Sequence, residues 1–226
     1  MKSAIVLVSG GLDSCVSTAW ALSEGYACIP INFAYGQRHA REIIASELVC
    51  EALGLPTPRT FNLTQPFALI GGSSLTSGIR TGNPSTEAVE RTPSNLPPSF
   101  VPGRNLLFLG IAAALAYVEQ AQYIVGGWNV IDYSGYPDCR PEFFTTMGQA
   151  IGNAMGYARD AEHAIVAPLV HLRKDEIVQL GHRLNAPMHL TWSCYAGGSV
   201  PCNECDSCRI RIDGFAKAGI VDGAAV

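Results

Sequence analysis

Ser3-Ala4-Ile5-Val6-Leu7-Val8-Ser9-Gly10-Gly11-Leu12-Asp13-Ser14 is the stretch on which the fold turns. Its β-branched, apolar run over residues 3–8 reads as a buried strand. Two adjacent glycines then allow a tight turn and a close approach of backbone to a ligand. Over residues 14–24 apolar side chains recur at helical spacing until Gly25 stops them. Strand, loop and helix in that order aim the free N–H groups and positive dipole end of the helix at the loop, where polyphosphate is the natural guest. A Walker A loop needs a longer spacing and a lysine before its serine or threonine, and neither is present. The plainer alternative is a Gly-Gly turn with the helix capped by Asp13 or Ser14.

Working outward, residues 27–33 read as a second buried strand, 38–53 as a helix closed by Gly54, and 59–63 as a third short strand. Periodicity disappears over residues 71–102, a length associated with lids and binding loops. It resumes with a helix over 105–119 and a strand over 122–126, followed by a polar irregular stretch over 127–140. A helix is expected after Pro141, a strand over 164–166 and a helix over 174–184. The strand–helix rhythm implies an α/β fold, a parallel sheet flanked by helices on both faces. The expected division is an α/β domain over residues 1–186 and a small cysteine-bearing subdomain with a short closing segment over 187–226.

At 226 residues, 48% of them hydrophobic, the chain has material for one main core. A net charge of −4 with no block of Lys or Arg argues against a nucleic-acid footprint and for a small substrate. The apolar segment after Met1-Lys2-Ser3 is too short for a signal peptide or a membrane span, so a cytosolic, membrane-free protein is expected.

Of the eight cysteines, Cys194, Cys202, Cys205 and Cys208 crowd together, the last three spaced C-x2-C-x2-C. Four thiolates within so short a segment can close a tetrahedral, structural zinc site with no position left for a reactant. Sulfur-only ligation would also serve an iron–sulfur cluster, although no redox motif accompanies the cysteines. Cys139 has no sequence feature to supply an activating base, and His39 reads equally as a proton carrier or a hydrogen-bonded structural residue.

The Ser9–Ser14 loop resembles the pyrophosphate loop of the N-type ATP pyrophosphatases. Further strings narrow the resemblance to the 7-cyano-7-deazaguanine synthase family across nearly the whole chain. They are Tyr35-Gly36-Gln37-Arg38-His39, Phe100-Val101-Pro102-Gly103-Arg104-Asn105, and Asp132-Tyr133-Ser134-Gly135-Tyr136-Pro137-Asp138-Cys139-Arg140. Pro168-Leu169, Lys174 and Trp192-Ser193-Cys194-Tyr195 complete them in the same order. Asn203 departs from the glycine common in the family, so the knuckle is expected to turn somewhat differently.

The resemblance implies a Rossmann-like fold of the ATP pyrophosphatase type. It also implies conversion of 7-carboxy-7-deazaguanine and ammonia to 7-cyano-7-deazaguanine, with ATP cleaved to AMP and pyrophosphate, in queuosine biosynthesis. On that resemblance ATP would lie against Val8, Ser9, Gly10, Gly11, Leu12, Asp13, Ser14, Cys15, Val16, Ser17 and Thr18. Asp13, Arg104 and Lys174 would serve catalysis, with Asp13 holding Mg²⁺ or anchoring the loop. Arg38, Asp132, Tyr136, Asp138 and Arg140 would hold the substrate, and Cys194, Cys202, Cys205 and Cys208 a structural Zn²⁺. A homodimer is implied as well. Two other readings compete. A tRNA thiolase would need a basic RNA face and a sulfur-carrying cysteine. A zinc-ribbon binding module would need basic residues around its knuckle, where Arg209 and Arg211 are all the sequence offers.

Overall fold

In a computed structural model, residues 2–36, 40–73, 96, 100–131, 136–155, 164–196 and 198–224 are described. Arg38, His39, Asp132 and most of the 71–102 stretch therefore lie outside the described residues.

Strand β1 (Ser3–Leu7) is covered on both faces, as its unbroken apolar sequence requires. Ile5 joins a cluster with Leu109, Ala112, Ala113 and Phe144. Ala4 and Val6 point the other way, towards Cys15, Val49 and Cys50. The helices that supply these partners are α1 (Leu12–Ser23), α2 (Ala40–Ala52), α4 (Arg104–Val118) and α5 (Pro141–Met155).

β1 pairs in parallel with β2 (Ala27–Ala34) on one side and β4 (Tyr123–Val125) on the other. Outside them lie β3 (Arg59–Asn62) and β5 (Ile165–Val166), giving one parallel sheet in the order β3-β2-β1-β4-β5. The direction of winding reverses between β1 and β4. The loops leaving the carboxyl ends of those two strands diverge there and open a crevice, where ligands bind in sheets of this kind.

Observed element boundaries fall within two residues of expectation for most elements, and two helices come as additions. The short α3 (Thr64–Ile70) buries only Phe67, which leaves no periodicity to read. α7 (Asp206–Ala218) occupies much of the expected closing segment. Its buried face is Ser207, Cys208, Arg211, Gly214 and Phe215, a helical spacing written largely in residues that a hydrophobic count ignores. α7 lies along α6 (Lys174–Arg183), and Phe215 and Met188 share a core with Leu12 and Val16 of α1 and with Ile177 and Val178 of α6. Among the described residues no helix is long and apolar enough to cross a membrane.

Candidate active site

At the end of β1 the Val8 N–H donates to the Ile31 carbonyl (2.8 Å), and the chain then turns through Ser9, Gly10 and Gly11 into α1. Gly11 is the N-cap and brings no side-chain acceptor, so the first-turn N–H groups of α1 face outward without an intrahelical partner. Asp13 and Ser14, the caps of the plainer alternative, do other work. Ser14 Oγ donates to the Gly11 carbonyl (2.9 Å) and accepts from Ser9 Oγ (3.1 Å), drawing the loop in on itself.

Two glycines are required by space. Gly10 has φ +89°, and a Cβ there would run into the Glu42 carbonyl of α2 and come within 2.9 Å of Ser46 N. Gly127, after β4, has no room either, since a Cβ would stand 2.5 Å from the Asp13 carbonyl oxygen. α1 thus starts wedged between the two strand-end loops.

Lys174 opens α6 and sends Nζ to Asp13 Oδ1 (2.5 Å), with side chains 10% and 17% exposed. Its stem crosses α7 over Gly214, where a Cβ would overlap the lysine's own methylenes. The pair therefore joins the Ser9–Ser14 loop to α6 at low solvent exposure, where charge interactions are screened far less than at the surface.

The opposite wall is built from side chains of several elements. Phe33 stacks on Phe108 at 4.0 Å between ring centroids, and Tyr35 meets Phe108 edge-on at 5.6 Å. The Arg104 guanidinium lies 5.9 Å from the Tyr35 ring centroid. Burial opposes its charge, but Tyr35, Asp138 and Cys139 outweigh that and hold it above its ordinary range. Asp138 Oδ2 accepts from the backbone N–H of Asn105 (3.2 Å), while Oδ1 has no hydrogen-bond partner among the described residues. Asn105 in turn donates to the Asp138 carbonyl (3.0 Å) and accepts from the Trp128 indole (3.3 Å). Cys139 is pushed up to about 11, by burial first and then by Asp138, and remains a thiol.

Between the two walls is a cavity of about 230 Å³. Of the residues singled out from sequence, it brings together Val8, Ser9, Gly11, Leu12, Asp13, Ser14, Arg104, Tyr136 and Lys174. Gly10 sits behind the loop against α2. Cys15 and Val16 turn into the two adjoining cores, and the Ser17 and Thr18 hydroxyls are spent on the Ser14 carbonyl. Asp138 stands behind the lining, through Asn105, and Arg140 is exposed. Arg38 and Asp132 fall outside the described residues. The lining also includes Phe33, Phe108, Trp128 and Arg211, which sequence reasoning did not single out for the site. Trp128 follows Gly126-Gly127 at the end of β4 and could have been sought there as the second loop of the crevice.

The cysteine knuckle sits beside this cavity. The Sγ atoms of Cys194, Cys202, Cys205 and Cys208 lie within 4.8 Å of one another and form a group that could hold a metal ion. The Cys202 N–H points at Cys194 Sγ and the Cys205 N–H at Cys202 Sγ, each at 3.3 Å. Backbone N–H groups of Glu204 and Cys205 bring Cys202 down to about 6, while burial pushes Cys208 up to about 12, so the metal-free cluster favours a thiolate at the first and a thiol at the second. Asn203 carries φ +59°, a left-handed turn that asparagine tolerates better than most residues. Arg211 is 8% exposed, so it offers no basic face, and Arg209 alone is left on the surface.

The family model described as "Queuosine biosynthesis protein QueC" matches residues 3–219. The chain belongs to the QueC family. It is 42% identical over 220 residues to the 7-cyano-7-deazaguanine synthase of Nostoc sp. (strain PCC 7120), covering 97% of this chain and 95% of that one. It is 45% identical over 221 residues to the synthase of the same name from Oceanobacillus iheyensis, covering 98% and 96%. Among solved structures, NMN synthetase from Francisella tularensis shares the fold at TM-score 0.52 and 16% identity, covering 97% of this chain and 78% of that one. A 4-thiouridine synthetase, solved with RNA and bound ATP, does so at 0.50 and 17%, covering 96% and 50%.

Proposed function

We propose that the chain converts 7-carboxy-7-deazaguanine, ammonia and ATP to 7-cyano-7-deazaguanine, AMP and pyrophosphate; the product is the one its relatives are named for. The supporting observation is a single continuous cavity in which the Ser9–Ser14 loop and Lys174 face Arg104 and Tyr136. One wall suits polyphosphate and the other a flat, carboxylate-bearing heterocycle.

In this reading the first-turn N–H groups of α1 and Lys174 Nζ receive the phosphates. The planar fork of Arg104 orients the substrate carboxylate, and Tyr136 and Trp128 give the ring apolar faces. A carboxylate oxygen attacks the α-phosphorus, the bridging P–O bond breaks, and pyrophosphate leaves with the electron pair beside the helix terminus that stabilises it. Ammonia then adds to the acyl carbon, AMP departs, and a proton passes to solvent, leaving the amide. The amide oxygen attacks a second ATP in the same manner. Loss of the remaining N–H protons and of AMP yields the nitrile, and neither an oxidant nor a reductant is consumed. Mg²⁺ arriving with ATP would neutralise phosphate charge, with Asp13 as the carboxylate able to hold it. Asp138 contributes from behind the lining, through Asn105 and the charge of Arg104. Arg38, Asp132 and Arg140 complete the proposed substrate-binding set.

Zinc is the metal proposed for the knuckle. Zn–S bonds of about 2.3 Å in a tetrahedron separate sulfurs by about 3.8 Å. The Cys202–Cys208 separation of 4.0 Å fits that edge, and an all-thiolate set leaves no open position for chemistry. Residues 1–186 would then carry the reaction and 187–226 the structural metal, in a cytosolic homodimer that acts on small molecules, without nucleic acid or membrane.

Purified protein supplied with ATP, ammonia and 7-carboxy-7-deazaguanine should yield AMP, pyrophosphate and the nitrile. Formation of neither AMP nor nitrile rejects the proposal. Elemental analysis should find about one zinc per chain, and iron in its place rejects the metal assignment.

A further inference from the structure

Arg211 lines the cavity, yet its guanidinium is fully committed elsewhere. Nε and one terminal nitrogen form a fork on Asp222 (2.5 and 2.9 Å), and that same terminal nitrogen also donates to the Met188 carbonyl (3.1 Å). The other terminal nitrogen reaches Thr191 Oγ1 (2.7 Å) and Ser193 Oγ (3.1 Å). An arginine has five N–H donors, and here each has an acceptor. None remains for a phosphate, and the Asp222 carboxylate balances the charge.

What Arg211 grips is a strap that reaches the phosphate loop. Between Thr191 and Ser193, the Trp192 N–H donates to the Gly10 carbonyl (2.9 Å). The Trp192 indole donates to the Cys194 carbonyl (3.0 Å), and the Arg41 guanidinium lies 5.0 Å from its ring centroid. Gly10 and Gly11 are the residues least able to resist rotation of the peptide between them. Such a flip would turn the Gly10 carbonyl towards the bound polyphosphate and the Gly11 N–H away from Ser9 Oγ, to which it now donates at 3.3 Å.

We infer that Arg211 is a positioning residue for ATP, holding Thr191 and Ser193 so that Trp192 pins the Gly10 carbonyl away from the phosphates. The inference rests on the proposal that ATP occupies the Ser9–Ser14 loop. It assigns α7, which begins at the knuckle, a part in the chemistry through the strap as well as through Gly214 beneath Lys174.

The test is calorimetric binding of α,β-methylene ATP to the full chain with its metal in place. Arg211→Lys keeps the charge and loses the fork. It should bind the analogue about tenfold more weakly and raise KM for ATP by a similar factor, with metal content and KM for the carboxylate unchanged. If that variant loses its metal or fails to fold, Thr191→Val combined with Ser193→Ala removes both hydroxyl contacts while sparing Arg211–Asp222, and should weaken analogue binding about fivefold. Analogue binding within twofold of wild type in a folded, metal-loaded variant overturns the inference alone. Equal loss of analogue and carboxylate binding does so too, because that is a general structural effect. A wild-type chain that does not bind the analogue overturns the ATP assignment itself.

Discussion

The two walls of the cavity are made by opposite means. The wall proposed for phosphate is mostly backbone from a single short stretch, closed by Gly127 and Lys174 from elsewhere. The facing wall is side chains, with Tyr35, Arg104, Phe108, Trp128 and Tyr136 arriving from separate parts of the chain. Polyphosphate is recognised by N–H groups that any sequence of the right shape supplies, so that wall constrains conformation and spacing. A heterocycle with a carboxylate is recognised by particular rings and one guanidinium, so the other wall constrains identity. Damage to the two walls should therefore separate in kinetics, the first appearing with ATP and the second with the carboxylate.

The sharpest break is Asp13→Ala. It removes a carboxylate partner of Lys174 Nζ at low exposure and the one carboxylate of the Ser9–Ser14 loop. AMP release should fall by about 10³-fold or more, as for loss of a principal electrostatic contact at a reacting phosphate, with the fold retained by circular dichroism. Turnover within a few-fold of wild type would remove Asp13 from the mechanism.

Gly10→Ala tests the backbone wall without touching a charge. The added methyl meets the Glu42 carbonyl and Ser46 N, both backbone atoms of α2, at a φ that alanine disfavours. The loop has to move, and kcat/KM for ATP should drop by about 10²-fold while carboxylate binding holds. Equal weakening of both substrates would mean that the two walls are not independent.

Arg104→Lys is the counterpart on the side-chain wall. A lysine keeps the charge but loses the planar fork and its place beside the Tyr35 ring. KM for the carboxylate should rise by about tenfold to a hundredfold, with binding of an ATP analogue within about twofold. If the analogue weakens instead, Arg104 belongs to the phosphate site.

The same division explains what the sequence disclosed. The Ser9–Ser14 loop and the four cysteines are contiguous or closely spaced, so they can be picked out as candidate sites directly from residue order. The first strand likewise announces itself as an unbroken apolar run, and most element boundaries fall within two residues of expectation. The side-chain wall has no such signature: Phe33 and Phe108 are 75 residues apart and meet because β2 and α4 pack on one face of the sheet. α7 stayed hidden because its buried face is held by an arginine and a glycine. Arg211 illustrates the limit best, since an arginine beside a cysteine knuckle reads as a surface cation until Thr191, Ser193, Met188 and Asp222 are found around it.

The smallest effect is expected where the side-chain wall looks most reactive. Cys139 lines the cavity and invites assignment as a nucleophile on the activated acyl carbon. Burial and the neighbouring Asp138 push it up to about 11, so at pH 8 roughly one thiol in a thousand is ionised. Its polar contact is the Asn105 amide, which donates to Sγ at 3.5 Å, and a serine oxygen can accept in its place. Cys139→Ser should therefore keep kcat within about threefold of wild type, and iodoacetamide at pH 8 should leave the native thiol largely unmodified. A hundredfold loss of turnover with carboxylate binding intact would require the thiol to attack the acyl adenylate. Three covalent stages would then replace two, and the low ionised fraction of Cys139 would have to be raised by the bound substrate itself.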